Sequence, residues 1–496
     1  MTKEESNKDK HFDSDEDCSR EREESKKRWY DDVFGDDTPY FEEKKDLFDQ
    51  KIDPVDEQWG DEEGEYDGRW GAYTDDKKRL CVDLKTLLNR LRTDYPFITP
   101  IDTKVLHIYL NGIYDPTGEE QIRSLLVRKF GTVAHQKTVL EVLHQLRDAS
   151  FIRRGRVNGE NGYLPLWNGI LNLETLELET FSPDQIWTFK LPVKYDPKAK
   201  CPKFKKFLGE VFMGAEETIE SIREQFGYCL YPQMPTQISF WWYGSGANEK
   251  TQLAEILRAM LGSKNVTHID LRTLEHGRFD RRHLFGKLAN IIGEPDPRIL
   301  EKSTVFKACT GGDIIYSDVK NRDPIEFQNF SKFFIYANEY PQIADVSNAF
   351  WWRVLAVDFP NVFEGSNVVK DIGKRIAEAE LSGILNWALE GLRCLKDNNW
   401  EFIVSSKEEE AKERLVMMSN PVHAFVDAEC VMDVSAKTAT VELYDRYKES
   451  CEERGIGIKS VDSFGRDLSR IPRISKGLVR YGGKREKGWI GIRLKE

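Results

Sequence analysis

Residues Gly244 to Thr251 read GSGANEKT and lie between strand formers, Ile238 to Tyr243, and a stretch whose Leu253, Ile256, Leu257, Met260 and Leu261 recur at helical spacing. A loop that wraps phosphates needs glycines so that its backbone N–H groups can approach them, a lysine for the terminal phosphates and a hydroxyl for magnesium. Gly244, Gly246, Lys250 and Thr251 supply those parts, with Ser245, Ala247 and Asn248 completing the loop. The position before the lysine calls for glycine, yet it holds Glu249. A carboxylate about 4 Å from a phosphate costs about 4 kcal/mol at an effective dielectric near 20, roughly a thousandfold in affinity.

A chain of 496 residues is too long for one core and implies two to four domains. Its net charge of −12 is concentrated at one end. Residues 1–80 hold 28 acidic and 15 basic side chains, and the other 416 hold 57 and 58. Such a leader buries too little apolar surface to order itself. It reads as a solvated acidic tail or as a docking peptide built around Trp29, Tyr30, Phe34, Tyr40 and Phe41. The eight cysteines are never closer than 21 positions, so no zinc or redox spacing occurs and reduced thiols in a cytoplasmic protein are expected. No charged-then-apolar leader opens the chain, and no apolar run approaches the ~18 residues of a membrane span.

Mixed helix and strand patterns over 81–200, with Asn168-Gly169 as a hairpin turn, predict a compact α+β domain. Strands alternate with helices or loops from about Gln237 to Phe363, which predicts an α/β core within a domain spanning 201–410. Within it LANIIGEP ends in Glu294 and FFIYANEY ends in Asn338, polar residues at strand ends. Over 411–496 the order is helix, helix and a basic hairpin around Gly482-Gly483, the order of a winged helix. From Val461 to Glu496 there are 10 basic and 4 acidic side chains, and Lys484, Arg485 and Lys487 suit the phosphate backbone of duplex DNA.

Several ordered stretches from Cys201 to Phe363 resemble the superfamily 3 helicase core of poxvirus, phage and plasmid primase-helicases: GSGANEKT, GRFDRRHLFGKLANIIGEPD, FKACTGGDIIYSDVKNRDPIEF, KFFIYANEYPQ and NAFWWRVLAVDFPNVF. Upstream, WNGILNLETLEL and KLPVKYDPKAKCPKFKKFL resemble the accessory domain of the same proteins. Because only the acidic tail precedes that domain in this sequence, no polymerase-type primase domain is expected. The resemblance implies a multidomain protein: an α/β AAA+ P-loop core, an α+β accessory domain before it and a winged helix after it.

In that resemblance Lys250 and Thr251 correspond to the phosphate lysine and the magnesium hydroxyl, and Glu294 to the acid that holds magnesium or polarises the attacking water. Asp296, beyond a proline, is the alternative carboxylate. Asn338 corresponds to the sensor that orients water, and Arg353 to a finger reaching the neighbouring subunit's ATP. Lys307 corresponds to a basic residue sensing nucleotide across that interface. Lys320 and Arg322 lie on a hairpin that would project into a ring's channel and grip single-stranded DNA. Glu249, Gln252 and Trp352 depart from the pattern.

Two functions are therefore expected. One is an ATP- and magnesium-dependent homohexameric DNA helicase serving a virus, plasmid or mobile element in host cytoplasm or nucleoid, with 3′ to 5′ polarity implied by the resemblance. The other is a DNA-binding ring with impaired hydrolysis that recruits a replication protein, a primase or polymerase, through the acidic tail. Translocation on RNA stays open, because the hairpin would contact phosphates that both nucleic acids share.

Overall fold

The computed structural model describes residues 70–74, 80–131, 135–159, 162–295, 300, 302–320, 322–341, 343, 347–365, 369–454, 457–481 and 483–495. The tail aromatics and Asp296 lie outside the described residues. The chain forms two compact units. One takes the residues through Gly214 with Ala247–Asn265 and Asn361–Glu390; the other takes Ala215–Gly246, Val266–Pro360 and Gly391–Glu496.

The first unit opens with three helices, Leu84–Asp94, Gly118–Phe130 and Gln136–Ala149. Apolar residues at helical spacing, among them Leu87, Leu91, Ile122, Leu126, Val142 and Leu146, join in one buried cluster. A four-stranded sheet with Phe97–Pro100 and His107–Leu110 at its centre accompanies them. The expected hairpin joins Tyr163–Leu166 to Gly169–Asn172 in a three-stranded antiparallel sheet, but its turn falls one residue earlier, at Trp167-Asn168, with Gly169 already paired to Leu166. The helix Pro202–Val211 starts with proline, and its N–H groups at Lys203 and Phe204 donate to the Glu380 carboxylate at 3.1 and 2.9 Å. The loop helix, Lys250–Leu261, buries the five apolar residues whose spacing announced it.

A parallel five-stranded sheet is the centre of the second unit. Its order is Val266–Thr267, the acid strand Ala289–Gly293, the amide strand Lys332–Ala337, the loop strand Ser239–Tyr243 and the edge strand Val354–Asp358. Every residue of the loop strand is buried, as expected for a strand covered on both faces. Trp241 meets Phe306 and Phe350 edge-on, and Trp242 donates its indole N–H to Gln225 at 2.9 Å. Lys332, at the start of the amide strand, is fully buried. Its ammonium donates to the carbonyls of Tyr231, Gln233 and Phe330 and lies over the Tyr228 ring. Burial pushes its pKa down to about 7.

The helix Ser406–Ser419 begins with a capping box between Ser405 and Glu408. Its Ala411 and Leu415 join the core of the parallel sheet, whereas a separate C-terminal cluster starts at Val422. That cluster contains the two expected helices, Thr440–Glu453 and Val461–Leu468, and the expected hairpin, Ser475–Tyr481 with Lys484–Leu494. Two elements add to the sequence reading: a leading helix, Pro421–Glu429, and a third strand, Cys430–Ala439, paired with Lys484–Leu494. The described cysteines are all free thiols, and among the described residues no helix is long and apolar enough to cross a membrane.

Candidate nucleotide site

Parallel strands deliver their carboxyl ends to one side of the sheet, and three of the second unit's candidate residues meet there. Gly246 has φ of 104°, and a Cβ added to it would find only Asn338 Oδ1, 3.9 Å away, within 4 Å. The Asn338 side-chain amide donates to Glu294 Oε1 at 2.8 Å, and its backbone N–H faces Oε2 at 3.4 Å. Because the carboxylate can only accept, the amide's NH2 faces it and Oδ1 is left toward Gly246. Glu294 has φ of 47°, a left-handed conformation that costs a side-chain-bearing residue about 1–3 kcal/mol and collects at functional sites. Its N–H is held by the Tyr336 carbonyl at 2.9 Å.

The other half of the loop belongs to the first unit. Lys250 is buried, and its ammonium donates to Asn248 Oδ1 at 3.3 Å. Asn248 in turn donates to the Asn361 carbonyl at 2.8 Å, and Phe363 N–H donates to the Ala247 carbonyl at 2.8 Å. The chain at 361–363 thus braces the loop, a role for Asn361 that its sequence context did not signal. Thr251 is exposed in the first turn of the loop helix. Glu249 is half-buried with φ of 63° and ψ of 14°. Glycine belongs here for its conformation as well as for its size, since a left-handed residue with a Cβ costs roughly 1–2 kcal/mol. Burial, then the nearby Glu255 carboxylate, holds the Glu249 carboxyl above its usual range.

The remaining departures have visible roles. Gln252 accepts the Gly373 N–H at 2.8 Å and satisfies a donor in the first turn of the helix Ile372–Asp397. Trp352 is 70% exposed. Arg353 is half-buried and donates to the Ala349 carbonyl and the Gln237 side chain, both neutral acceptors. No carboxylate pairs with it among the described residues. Lys307 sits half-buried in the helix Thr304–Gly311, whose end is closed by Gly312 at φ of 72°. Two N–H groups of that helix, at Val305 and Phe306, donate to Glu275.

Lys320 is exposed at the turn between Ile314–Val319 and Arg322–Gln328, and Arg322, the second candidate cation, pairs with Val319 next to that turn. Beside the hairpin stands a pair that sequence reasoning missed. Arg278 bonds Asp318 at 3.0 Å and lies over the exposed Phe279 ring at 5.0 Å. The cation-rich run GRFDRR was the available signal. In the C-terminal hairpin the pleat sorts the candidate cations: Arg480 opposes Arg485 and Leu478 opposes Lys487, while Lys484 opposes Tyr481 one step out of phase. Arg485 and Lys487 therefore share a face with Lys476, Arg480 and exposed Leu478, and Lys484 lies on the other. Among the described residues no group of three His, Cys, Asp or Glu is placed to hold a metal ion.

Comparison with known proteins gives three family matches in chain order: the D5 N terminal like family over 56–213, a family of unknown function (DUF5906) over 242–349, and the Poxvirus D5 protein-like family over 418–488. The chain is 28% identical over 229 residues to a putative helicase, L207/L206, of Acanthamoeba polyphaga mimivirus. That alignment takes in 44% of this chain, which spans about a quarter of the relative's length, 23%. An apo structure of the NrS-1 C-terminal region aligns with a TM-score of 0.48 and 14% identity, covering 81% of this chain and 97% of that one.

Gly293 precedes the candidate acid, and the geometry gives the reason for glycine. A Cβ there would lie 2.5 Å from the Tyr336 ring. Gly293→Asp is therefore expected to lower thermal stability by about 1–3 kcal/mol of overpacking, and adding Tyr336→Ala should recover at least half of it. Equal melting of Gly293→Asp and wild type would contradict this packing.

Proposed function

The chain is of the superfamily 3 type found in poxvirus, phage and plasmid primase-helicases, and from that premise we propose that it is an ATP-driven, ring-forming DNA helicase of viral, plasmid or mobile-element replication. The convergence of Gly246, Asn338 and Glu294 carries the reading, because a water-orienting amide and a carboxylate stand beside the glycine of a phosphate-type loop. In this reading the fold is a AAA+ P-loop core with an accessory domain before it and a winged helix after it.

The residues present fit ATP and magnesium. Backbone N–H groups of Gly244 to Thr251 would wrap the phosphates, Lys250 would leave Asn248 for the terminal phosphates, and Thr251 with Glu294 would share the metal with them. Cleavage of the terminal phosphoanhydride supplies the free energy of movement. Asn338 positions water through the amide that Glu294 already fixes. Arg353 would exchange its two neutral acceptors for phosphate on a neighbouring subunit of a hexamer, with Lys307 on the same interface. Lys320 and Arg322 would grip single-stranded DNA, and the face carrying Arg485 and Lys487 would meet duplex DNA, with Lys484 behind it. The acidic tail would recruit a replication protein such as a primase or polymerase, and the setting would be cytoplasmic.

Glu249 supports the second reading, a DNA-binding ring with a disabled engine. Its carboxyl combines a strained backbone with negative charge on the loop. Its raised affinity for protons offers relief. Nearby phosphates would lift it further, so the complex would hold the proton to higher pH than the free protein, and ATP affinity should grow as pH falls toward the carboxylate range. Glu249→Gln should tighten ATP by roughly ten- to a thousandfold at pH 8 and flatten this dependence, read by calorimetry. Identical pH profiles for wild type and Glu249→Gln would place Glu249 away from the nucleotide.

Unwinding of a forked duplex tests the motor itself. ATP should support strand separation by the wild type, and Lys320→Ala should lose it while lowering the salt slope of single-strand binding by about 1. Binding of the fork without separation under any nucleotide would favour the scaffold.

A further inference from the structure

Beside the edge strand, the second unit opens into a groove of about 1210 Å3. Its walls come from Val354 to Ala356 of that strand, the segment from Trp400 to Val404, the helix Ser406–Ser419 and the end of the helix Pro421–Glu429. Trp352, Trp400, Phe402, Val404, Val416 and Met417 make the lining largely apolar. Of these, Trp352 is 70% and Val404 49% exposed, a large apolar surface left in water.

Carboxylates outnumber cations among the polar residues of the groove. Glu401, Glu409, Glu413 and Asp427 are all exposed, and among the described residues none of the four forms an ion pair. Of the two cations in the lining, Arg454 is already bound to Glu429 at 3.1 Å, and burial disfavours the charge of Lys412. Glu408, also a lining residue and 2% exposed, accepts the Ser405 N–H at 2.7 Å through Oε2. The Ser221 hydroxyl lies beside that carboxylate, but Oε1 has no partner in hydrogen-bond geometry.

This chemistry narrows the occupant. A nucleic acid would meet four unpaired carboxylates, and so would this chain's own tail, with 28 acidic and 15 basic side chains in residues 1–80. The volume exceeds the roughly 300–1,000 Å3 of small-molecule sites. We propose that the groove docks a lysine- or arginine-rich amphipathic helix of a partner protein, with apolar side chains over Trp352 and Phe402 and cations facing the carboxylate rim. The proposal goes beyond the motor reading and does not rest on it.

The test uses the full chain without nucleotide or DNA, so a failed motor cannot be mistaken for a failed groove. The probe is a labelled lysine/leucine amphipathic peptide of roughly 18 residues, five helical turns, followed by fluorescence anisotropy. A glutamate/leucine peptide of the same pattern is the control. The wild type should bind the lysine peptide with strong salt dependence and ignore the glutamate peptide. Trp352→Ala and the double variant Glu409→Lys, Glu413→Lys should each weaken binding by roughly tenfold or more, with unchanged melting because all three side chains are exposed. Equal affinity of the variants and the wild type would overturn the proposal, as would equal binding of the two peptides. Failure of the wild type to bind the lysine peptide, with Trp352→Ala dissociating an oligomer, would overturn it by making the groove a contact between copies.

Discussion

Glu294 and Asn338 can hold each other only because the acid and amide strands are parallel neighbours that end at the same level. Gly293 pairs with Tyr336 in the register, and Glu294, one residue further, meets Asn338, two residues further along the neighbouring strand. The rest of the candidate site depends on that shared ending. The loop strand lies on the other side of the amide strand, which sets Gly246 beside Asn338. At the opposite end, Lys332 ties the start of the amide strand to three carbonyls. A buried ammonium satisfied in this way fixes the strand's position along its axis, because removal of any of those carbonyls would leave an uncompensated donor in the core.

Three departures from the family pattern acquire separate explanations. Gln252 serves the helix Ile372–Asp397, whose Gly373 N–H it accepts. Trp352 lies largely in solvent, on the wall of an acid-rimmed groove, so this departure alters a surface. Glu249 alone bears on the loop, through conformation and charge together. The strain of about 1–2 kcal/mol is the smaller term against a charge penalty of about 4 kcal/mol at an effective dielectric near 20. In the proposed function, protonation or outward rotation of the carboxylate would decide whether the loop takes a triphosphate.

Much of this was legible in the sequence because periodicity and strand-end polar residues survive without tertiary information. The loop helix and the hairpin near Asn168 follow from local signals, whereas the hairpin holding Lys320 was implied by the resemblance. What escaped depends on contacts across long separations. Asn361 braces Asn248 from 113 residues away, and Glu275 caps a helix some 30 residues on. No local pattern marks such partners. The sorting of Lys484 from Arg485 and Lys487 needed the register of the hairpin, which a charge count does not contain. The helix Ser406–Ser419 illustrates the same limit, since its polar surface concealed Ala411 and Leu415, which belong to the sheet's core.

Steady-state ATP hydrolysis with and without single-stranded DNA, with Lys250→Ala as the blank, bears most directly on the central claim. The account predicts turnover that DNA stimulates and that Lys250→Ala abolishes. Wild-type turnover no higher than the blank, with DNA binding intact, would contradict it.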